Sequence, residues 1–352
     1  QGYDPDVFIG AKMQAQPPFH EEENRRQKMN HTKLWRSLTL SLIVVAMVLA
    51  ACVPAATPTV APPTPTPGVQ ETPVVPEATP TEAPKPEAKV FKILAVEKTL
   101  INEHWQFMKQ GYEWAAKRYG VEIEVASVPT EADTAGQLAL VESALTKGFD
   151  ALAVSPITPN NLNPALVRAS EMGIPIVNVD ELIPEDVAKD AGITIATRIA
   201  SNNYFAGVLA GRYMLEHLPQ GAKVAIIEGI AGNASGTARR DGFVDTVKAG
   251  GLNLVASQPA DWDRAKANTV TTNILQANPD LQGIYYANDT MAVGVAEAVA
   301  AAGKEGQIIL IGNDAIPEAK QAVGDGRLTG TIAQFPFEMA YLALEAAIRV
   351  LE

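Results

Sequence analysis

From Lys89 onward, short apolar runs alternate with longer segments of helical periodicity, and this alternation limits the possible folds more than any other feature of the sequence. Trp105, Met108 and Tyr112 recur at helical spacing, and Gly120 follows where such a helix would end. Apolar runs that read as strands lie at 90–96, 121–125, 151–154, 174–179, 224–227, 252–256, 283–286, 308–311 and 329–333. Strands that alternate with helices predict an α/β fold with parallel sheets covered on both faces. A segment of about 260 residues suits two such units better than one.

Polar side chains follow several of these strands at the point where each strand ends. They are Asp180, Asn288, Asp289, Asn313, Asp314 and Gln334. Ligands of open α/β sheets bind at the carboxyl ends of the strands. Carboxylates and amides exchange hydrogen bonds with hydroxyl groups. The pattern therefore predicts a site for a polyhydroxylated small molecule, such as a sugar.

Composition excludes several other classes of protein. The formal net charge is −12 and basic residues are not clustered, so nucleic acid is not an expected partner. His104 and His217 are the two histidines after Lys89 and share no metal-ligand spacing, so we expect neither a metal nor a cofactor. The loop at 229–236 lacks the Gly-Lys-Ser/Thr ending of a P-loop. No serine or cysteine lies in a nucleophile elbow, and no acid/base pair is evident, so we expect a protein that is not an enzyme.

The segment before the α/β region has the features of a secretory signal. Lys33 and Arg36 precede twelve mostly apolar residues at 38–49, and Leu49-Ala50-Ala51-Cys52 follows. Cys52 is the one cysteine of the sequence. The signal at 29–52 resembles a bacterial lipobox, which implies lipidation of Cys52 and an extracytoplasmic protein anchored to the membrane. The alternative is a plain signal peptide with an incidental cysteine.

Two further segments lie outside the α/β region. Residues 1–28 precede Met29 and are interpreted as a leader that is not part of the working protein. Residues 53–88 hold eleven prolines, seven threonines and no aromatic residue. This composition cannot bury a core and is typical of an extended linker.

Five motifs in the α/β region resemble those of type I periplasmic binding proteins of the ribose-binding subgroup. They are EGIAGNASGTARRDGF at 228–243, ASQPADWDR at 256–264, ANDTMAVG at 287–294, IGND at 311–314 and GTIAQ at 330–334. The resemblance implies two Rossmann-like lobes joined by three chain crossings, with the ligand in the cleft between them. Lobe 1 would comprise 89–201 and 334–352, and lobe 2 would comprise 202–333. The resemblance also implies one more strand and a tail after Glu352, so we expect the sequence to be truncated.

The resemblance also implies which residues bind the ligand. These are Asn102, His104, Trp105, Asp180, Glu181, Arg239, Trp262, Asn288, Asp314 and Gln334. Trp105 and Trp262 would sandwich a sugar ring, although either tryptophan could instead pack in the core or on the surface. His104 and Asn313 stand where aromatic residues are common, and Glu181 replaces a common arginine. With Arg239 as the only counter-charge, an acidic pocket of this kind predicts a neutral sugar or polyol.

The function that the resemblance implies is the substrate-binding component of an ABC-type sugar importer. Its partners would be a small neutral monosaccharide or polyol and a permease in the membrane, and we expect a monomer. A signalling receptor of the same fold, which presents its ligand to a membrane sensor, is the alternative. A sugar-responsive transcription regulator would need a helix-turn-helix before the core, where this chain has the signal and the Pro/Thr-rich linker.

Overall fold

The computed structural model describes residues 89–352. The leader, the signal segment, the Pro/Thr-rich linker and Cys52 lie outside the described residues. No helix within 89–352 is long and apolar enough to cross a membrane.

Lobe 1 is a five-stranded sheet with helices on both faces. Its strands are β1 (Lys92–Val96), β2 (Glu122–Ala126), β3 (Ala151–Val154), β4 (Ile176–Val179) and β5 (Thr197–Ile199). Its helices are α1 (Glu103–Tyr119), α2 (Thr134–Ala144), α3 (Asn163–Glu171), α4 (Glu185–Ala191) and α10 (Pro336–Leu351), which returns to this lobe from the end of the described chain. One face of the sheet packs on α1 and α10, and the other packs on α2, α3 and α4.

Lobe 2 repeats this plan. Its strands are β6 (Lys223–Glu228), β7 (Asn253–Pro259), β8 (Gly283–Tyr286), β9 (Ile309–Asp314) and β10 (Gly330–Ala333). Its helices are α5 (Asn203–His217), α6 (Ala234–Ala249), α7 (Arg264–Ala277), α8 (Asp289–Ala301) and α9 (Pro317–Gly324). Helices α5 and α6 cover one face of the sheet, and α7, α8 and α9 cover the other.

Both sheets are parallel and have the same strand order. The order is β2-β1-β3-β4-β5 in lobe 1 and β7-β6-β8-β9-β10 in lobe 2. In each lobe the order reverses between two central strands, β1 and β3 or β6 and β8. Such a switch point opens a crevice at the carboxyl ends of the strands, which is where open α/β sheets bind ligands.

The α/β class, the parallel sheets and the two-lobe architecture predicted from the sequence are confirmed. Two elements were not predicted, the three-residue strand β5 and the short helix α4. Both are too short for a hydrophobic period to be read from them. The chain passes between the lobes at Ser201 and again near Gln334. The third crossing implied by the resemblance is not among residues 89–352.

Candidate functional site

A small cavity lies between the two lobes, at the carboxyl ends of their strands. Its lining residues are Lys98, Asn102, His104, Trp105, Glu131 and Asp180 from lobe 1, Ser235, Arg239, Trp262, Asn288 and Asp314 from lobe 2, and Gln334 at the crossing. Most of these side chains are polar or charged, and two are tryptophans on opposite lobes. The cavity can therefore offer hydrogen bonds around its rim and aromatic faces to the same ligand.

Asp180 and His104 form a buried pair on the lobe 1 side. Asp180 follows β4, and its Oδ2 lies 3.1 Å from Nε2 of His104, in the first turn of α1. Burial by itself would raise the pKa of Asp180, but the charges of His104, Lys98 and Arg239 together lower it to about 2. Burial likewise opposes the charged form of His104, and Asp180 reverses that effect so that the pKa of His104 is raised. The pair therefore favours an ionised Asp180 beside a protonated His104.

Trp105 is held by polar contacts at its edge. Its Nε1 donates to Oε1 of Glu131 at 3.0 Å, and Nζ of Lys98 lies 5.5 Å from the centre of its ring. Only 3% of Trp105 is exposed, so the indole has one defined position. Burial raises the pKa of Glu131, while Lys98 and the bond from Trp105 lower it in part.

Arg239 reaches the cavity from α6 and is held by lobe 2. Its Nε donates to Oδ1 of Asn203 at 2.9 Å, and its Nη1 donates to the carbonyl of Ala287 at 2.6 Å. Nη1 also lies 3.7 Å from Oδ1 of Asp314, and the guanidinium lies 5.9 Å from the ring centre of Trp262. These contacts fix the guanidinium as a directed donor group in the wall of the cavity.

Asp314, Gln334 and Asn288 complete the rim at the ends of β9, β10 and β8. Oδ1 of Asp314 accepts from Nε2 of Gln334 at 2.6 Å and from Nδ2 of Asn313 at 2.9 Å. Asn288 caps α8 by accepting from the backbone N–H of Met291, which fixes the orientation of its side chain. Asn313 is fully buried and orients Asp314, and it does not line the cavity.

Three lining residues have unusual backbone conformations. The φ angles are 60° at Asp180, 62° at Trp262 and 121° at Asp314. Non-glycine residues avoid positive φ, and such conformations cost on the order of 1–3 kcal/mol each. They concentrate where a fold holds functional side chains in place. Here all three present a side chain to the same cavity.

Two glycines make room for the ring of Trp262. A Cβ on Gly229 would lie 2.0 Å from Cζ2 of Trp262, and one on Gly236 would lie 3.0 Å from its ring. Real Cβ atoms do not approach other atoms as closely as 2.0 Å, so the first position requires glycine while the indole keeps this place. Gly229 and Gly236 of the 228–243 motif are thus explained by packing against the aromatic wall of the site.

Several buried polar atoms of the cavity have no hydrogen-bond partner within the described residues. They are Nδ1 of His104, Nε1 of Trp262 and Oε1 of Gln334. Buried polar groups in folded proteins are nearly always hydrogen-bonded, so each of these atoms is suited to a partner that enters the cavity. The indole N–H of Trp262 donates, the side-chain carbonyl of Gln334 accepts, and Nδ1 of His104 is a ring nitrogen. Such a set suits the hydroxyl groups of a polyol, because a hydroxyl group both donates and accepts hydrogen bonds.

The structure brings nine of the ten sequence-predicted residues to the cavity and turns Glu181 away from it. Glu181 is fully buried, and its carboxylate contacts Lys98, Ala234 and Ser235 instead of the cavity. The prediction that Arg239 is the only counter-charge is wrong because the ammonium of Lys98 lies 3.1 Å from Oε2 of Glu181. Burial would lower the pKa of Lys98, but the charge of Glu181 raises it above its ordinary value.

Sequence reasoning missed three lining residues. Lys98 lies two residues beyond the end of β1, close enough for the strand-end rule to make it a candidate, but the rule does not decide whether a side chain at this distance faces the cavity. Ser235 lies inside the 228–243 motif, at the start of α6. Glu131 lies in the loop before α2, and no pattern in the sequence distinguishes it from other acidic surface residues. Among residues 89–352, no group of three or more His, Cys, Asp or Glu side chains is arranged to hold a metal ion.

A second, larger cavity adjoins the first. It opens between the loops of the two lobes and shares Asn102, Glu131 and Trp262 with the inner cavity. Ile101 and Pro129 line it on one lobe, and Ile316 lines it on the other. The inner cavity is therefore reached through the outer part of the same interlobe cleft.

Two parallel α/β lobes around a polar cavity flanked by tryptophans define a two-lobe solute-binding protein. The chain belongs to the periplasmic binding protein domain family, whose model matches residues 94–352.

Curated relatives and solved structures agree with this assignment. The chain is 44% identical over 253 residues to the D-allose-binding periplasmic protein of Escherichia coli K12. The aligned residues cover 71% of this chain and 81% of that protein. It is 33% identical over 260 residues to the ribose import binding protein of the same organism, and this alignment covers 74% of this chain and 84% of the ribose-binding protein. A solved periplasmic solute-binding protein of Actinobacillus succinogenes 130z with bound D-allose superposes with a TM-score of 0.70 at 34% identity, covering 74% of this chain and 91% of that one.

Proposed function

We propose that this protein is the substrate-binding component of an ABC-type importer and that it binds a neutral aldose, D-allose or a close stereoisomer, between its lobes. The observation that carries the proposal is the cavity itself, in which unpartnered polar atoms and two tryptophans converge from different elements. The D-allose-binding and ribose-binding relatives support the sugar class. Binding without chemical change follows from this role.

The charges around the cavity favour a neutral ligand. Asp180 pairs with His104, Glu181 pairs with Lys98, and Asp314 contacts both Arg239 and Gln334. An anionic sugar would have to compete with carboxylates for these cations, and a cationic sugar would have to compete for the carboxylates. Breaking a buried ion pair leaves an uncompensated charge, which is costly. Neutral hydroxyl groups can add hydrogen bonds without breaking any pair.

Calorimetric titration of the protein with matched sugars tests this proposal. The panel comprises D-allose, D-ribose, D-glucose, D-allose 6-phosphate and D-allonic acid. We expect D-allose to bind most tightly and both anions to bind at least tenfold more weakly than their neutral counterpart. Recovery of unchanged sugar after prolonged incubation excludes turnover. Tighter binding of either anion, or no binding of any neutral aldose, would overturn the proposal.

We infer that the protein works outside the cytoplasm, held to the membrane through a lipid on Cys52 and lifted off it by the linker at 53–88. The positive start, the apolar run and the Leu-Ala-Ala-Cys ending support this inference, as do relatives named as periplasmic. Labelling cells with an alkyne-bearing fatty acid should mark the wild-type protein and not Cys52→Ala. Equal labelling of both would place the lipid elsewhere. An importer permease is the partner that this arrangement would serve.

A further inference from the structure

Glu181 crosses from lobe 1 to the start of a helix in lobe 2. Its Oε1 accepts from the backbone N–H of Ala234 at 2.6 Å and from that of Ser235 at 3.2 Å. Its Oε2 accepts from Oγ of Ser235 at 2.7 Å. Glu181 itself follows β4 directly after Asp180, so three hydrogen bonds to this one carboxylate join the two lobes.

These bonds complete the hydrogen bonding at the start of α6. A helix leaves its first N–H groups without partners inside the helix. Asn233 caps α6 by accepting from the N–H of Gly236 at 2.9 Å, and its side chain accepts from neither of the N–H groups of Ala234 and Ser235. Those two donors are satisfied by the other lobe. A carboxylate at a helix N-terminus is further stabilised by the helix dipole.

Lys98 connects this interlobe contact to the cavity. Its ammonium donates to Oε2 of Glu181 at 3.1 Å while Lys98 also lines the cavity, and 3% of its side chain is exposed. Lys98 and Glu181 both belong to lobe 1, so their pair is independent of cleft opening. The bonds to Ala234 and Ser235 join different lobes, and opening of the cleft has to break them.

We propose that Glu181 is a closure residue, which stabilises the closed form by capping α6 across the cleft and does not recognise the sugar. The inference rests on the proposed function, because it concerns how that site closes. The cap contributes the same free energy whatever ligand is bound, since none of its atoms belongs to the ligand. A residue of this kind scales the affinity for every ligand by one factor. A contact to the ligand scales each affinity differently.

Glu181→Gln tests the proposal because the amide keeps the size of the side chain and removes its charge. Hydrogen bonds to charged groups are stronger than neutral ones, so we expect Kd to rise roughly 10- to 100-fold. The factor by which Kd rises should be the same, within about threefold, for D-allose and for each of its monodeoxy derivatives. Asp180→Asn is the matched comparison on the preceding residue. Its effect should be largest for sugars that keep the hydroxyl group it contacts and smallest for the derivative that lacks it.

A distance measurement on the sugar-free protein gives a second readout. Spin labels at the exposed positions Lys117 in lobe 1 and Lys248 in lobe 2 report the closed fraction. Glu181→Gln should lower that fraction without sugar, and Ser235→Ala should lower it in the same direction. An effect of Glu181→Gln that vanishes for one deoxy sugar would make Glu181 a ligand contact and overturn the proposal. Failure of the unsubstituted protein to bind any sugar would instead contradict the proposed function.

Discussion

At the residue scale, Glu97 is a buried acid of lobe 1 that, unlike Asp180 and Glu181, forms no ion pair within the described residues. It directly follows β1 and is fully buried, and neither of its carboxylate oxygens has a hydrogen-bond partner within the described residues. Burial raises its pKa from 4.5 to about 9, an effect that Lys109 opposes and that Asp180 and Glu113 reinforce. Glu97 is therefore neutral in the folded protein near pH 7, whereas Asp180, whose pKa is about 2, is ionised.

The raised pKa of Glu97 predicts how stability changes with pH. Between about pH 4.5 and 9 the folded state keeps a proton that the unfolded state releases. The stabilising contribution of the neutral acid is complete below pH 4.5 and is lost as the pH rises towards 9. Glu97→Gln removes this titration. As the pH rises through this range, the unfolding free energy of the variant should therefore increase relative to that of wild type by up to about 1.4 kcal/mol per pH unit.

Thermal or denaturant unfolding across this pH range measures that difference. Glu216→Gln is the control, because Glu216 is an exposed acid on α5 and is not among the charges that act on Glu97. This variant should keep the pH dependence that Glu97 imposes on wild type. A constant difference between Glu97→Gln and wild type from pH 5 to 9 would show that Glu97 is already ionised in the folded protein.

The close packing of Gly229 against the ring of Trp262 leads to a second prediction at this scale. Replacement of Trp262 by alanine should weaken sugar binding by about 2 kcal/mol, as for buried aromatic anchors elsewhere. Gly229→Ala should have a similar effect although it leaves the indole in the sequence, because the added methyl group occupies the place of the ring. Ala231→Ser, an exposed change in the same loop, should bind like wild type. Calorimetry with D-allose compares the three, and full affinity in Gly229→Ala would show that the ring can shift without loss.

How far the sequence predicts the site depends on what decides each side chain's direction. Residues at strand ends, such as Asp180 and Asp314, can be located because parallel strands end at one edge of a sheet. Glu181 is one residue further along and cannot be assigned in the same way. Whether it faces the cavity or the other lobe depends on the position of α6, which is distant in sequence. The direction of a side chain between the lobes cannot be predicted from the sequence, because it depends on how the two lobes pack together.

At the element scale, α5 and α6 pack with unusually close backbones. A Cβ on Gly207 of α5 would lie 2.0 Å from the carbonyl oxygen of Arg239, and one on Gly242 of α6 would lie 2.0 Å from that of Tyr204. Two glycines, one on each helix, therefore permit the crossing. Arg239 is part of this contact, so the spacing of the helices also sets where its guanidinium enters the cavity.

Gly207→Ala should separate α5 from α6. Overpacking of this kind costs about 1–3 kcal/mol of stability, and it should also weaken sugar binding because Arg239 moves with its helix. Gly324→Ala in α9 is the matched control, because an added Cβ there meets nothing within 4 Å. It should stabilise by up to about 1 kcal/mol through helix propensity. Unfolding midpoints and sugar titrations of both variants measure the two effects, and a Gly207→Ala protein with wild-type values would show that the helices can part freely.

At the scale of the whole molecule, the two lobes contribute to one cavity and are joined by chain crossings near Ser201 and Gln334. A ligand that contacts both lobes favours the closed arrangement by its differential affinity for that state. Small-angle scattering should therefore show a smaller radius of gyration with saturating D-allose than without sugar. A sugar that calorimetry shows not to bind serves as the control. An unchanged radius at saturation would indicate a cleft that is already closed without ligand.

The late position of α10 has a consequence for how the chain folds as it is made. Within residues 89–352, lobe 2 is continuous in sequence, so its described strands and helices are all present once β10 has been synthesised. One face of the lobe 1 sheet instead packs on Met339, Leu344 and Ile348 of α10. The part of that face that α10 covers stays exposed until the end of α10 emerges, although α1 and the strands are made first. Within residues 89–352, the core of the N-terminal lobe is thus completed after that of lobe 2, which reverses the usual order of folding during synthesis. A chain that must cross a membrane before it folds would benefit from this delay.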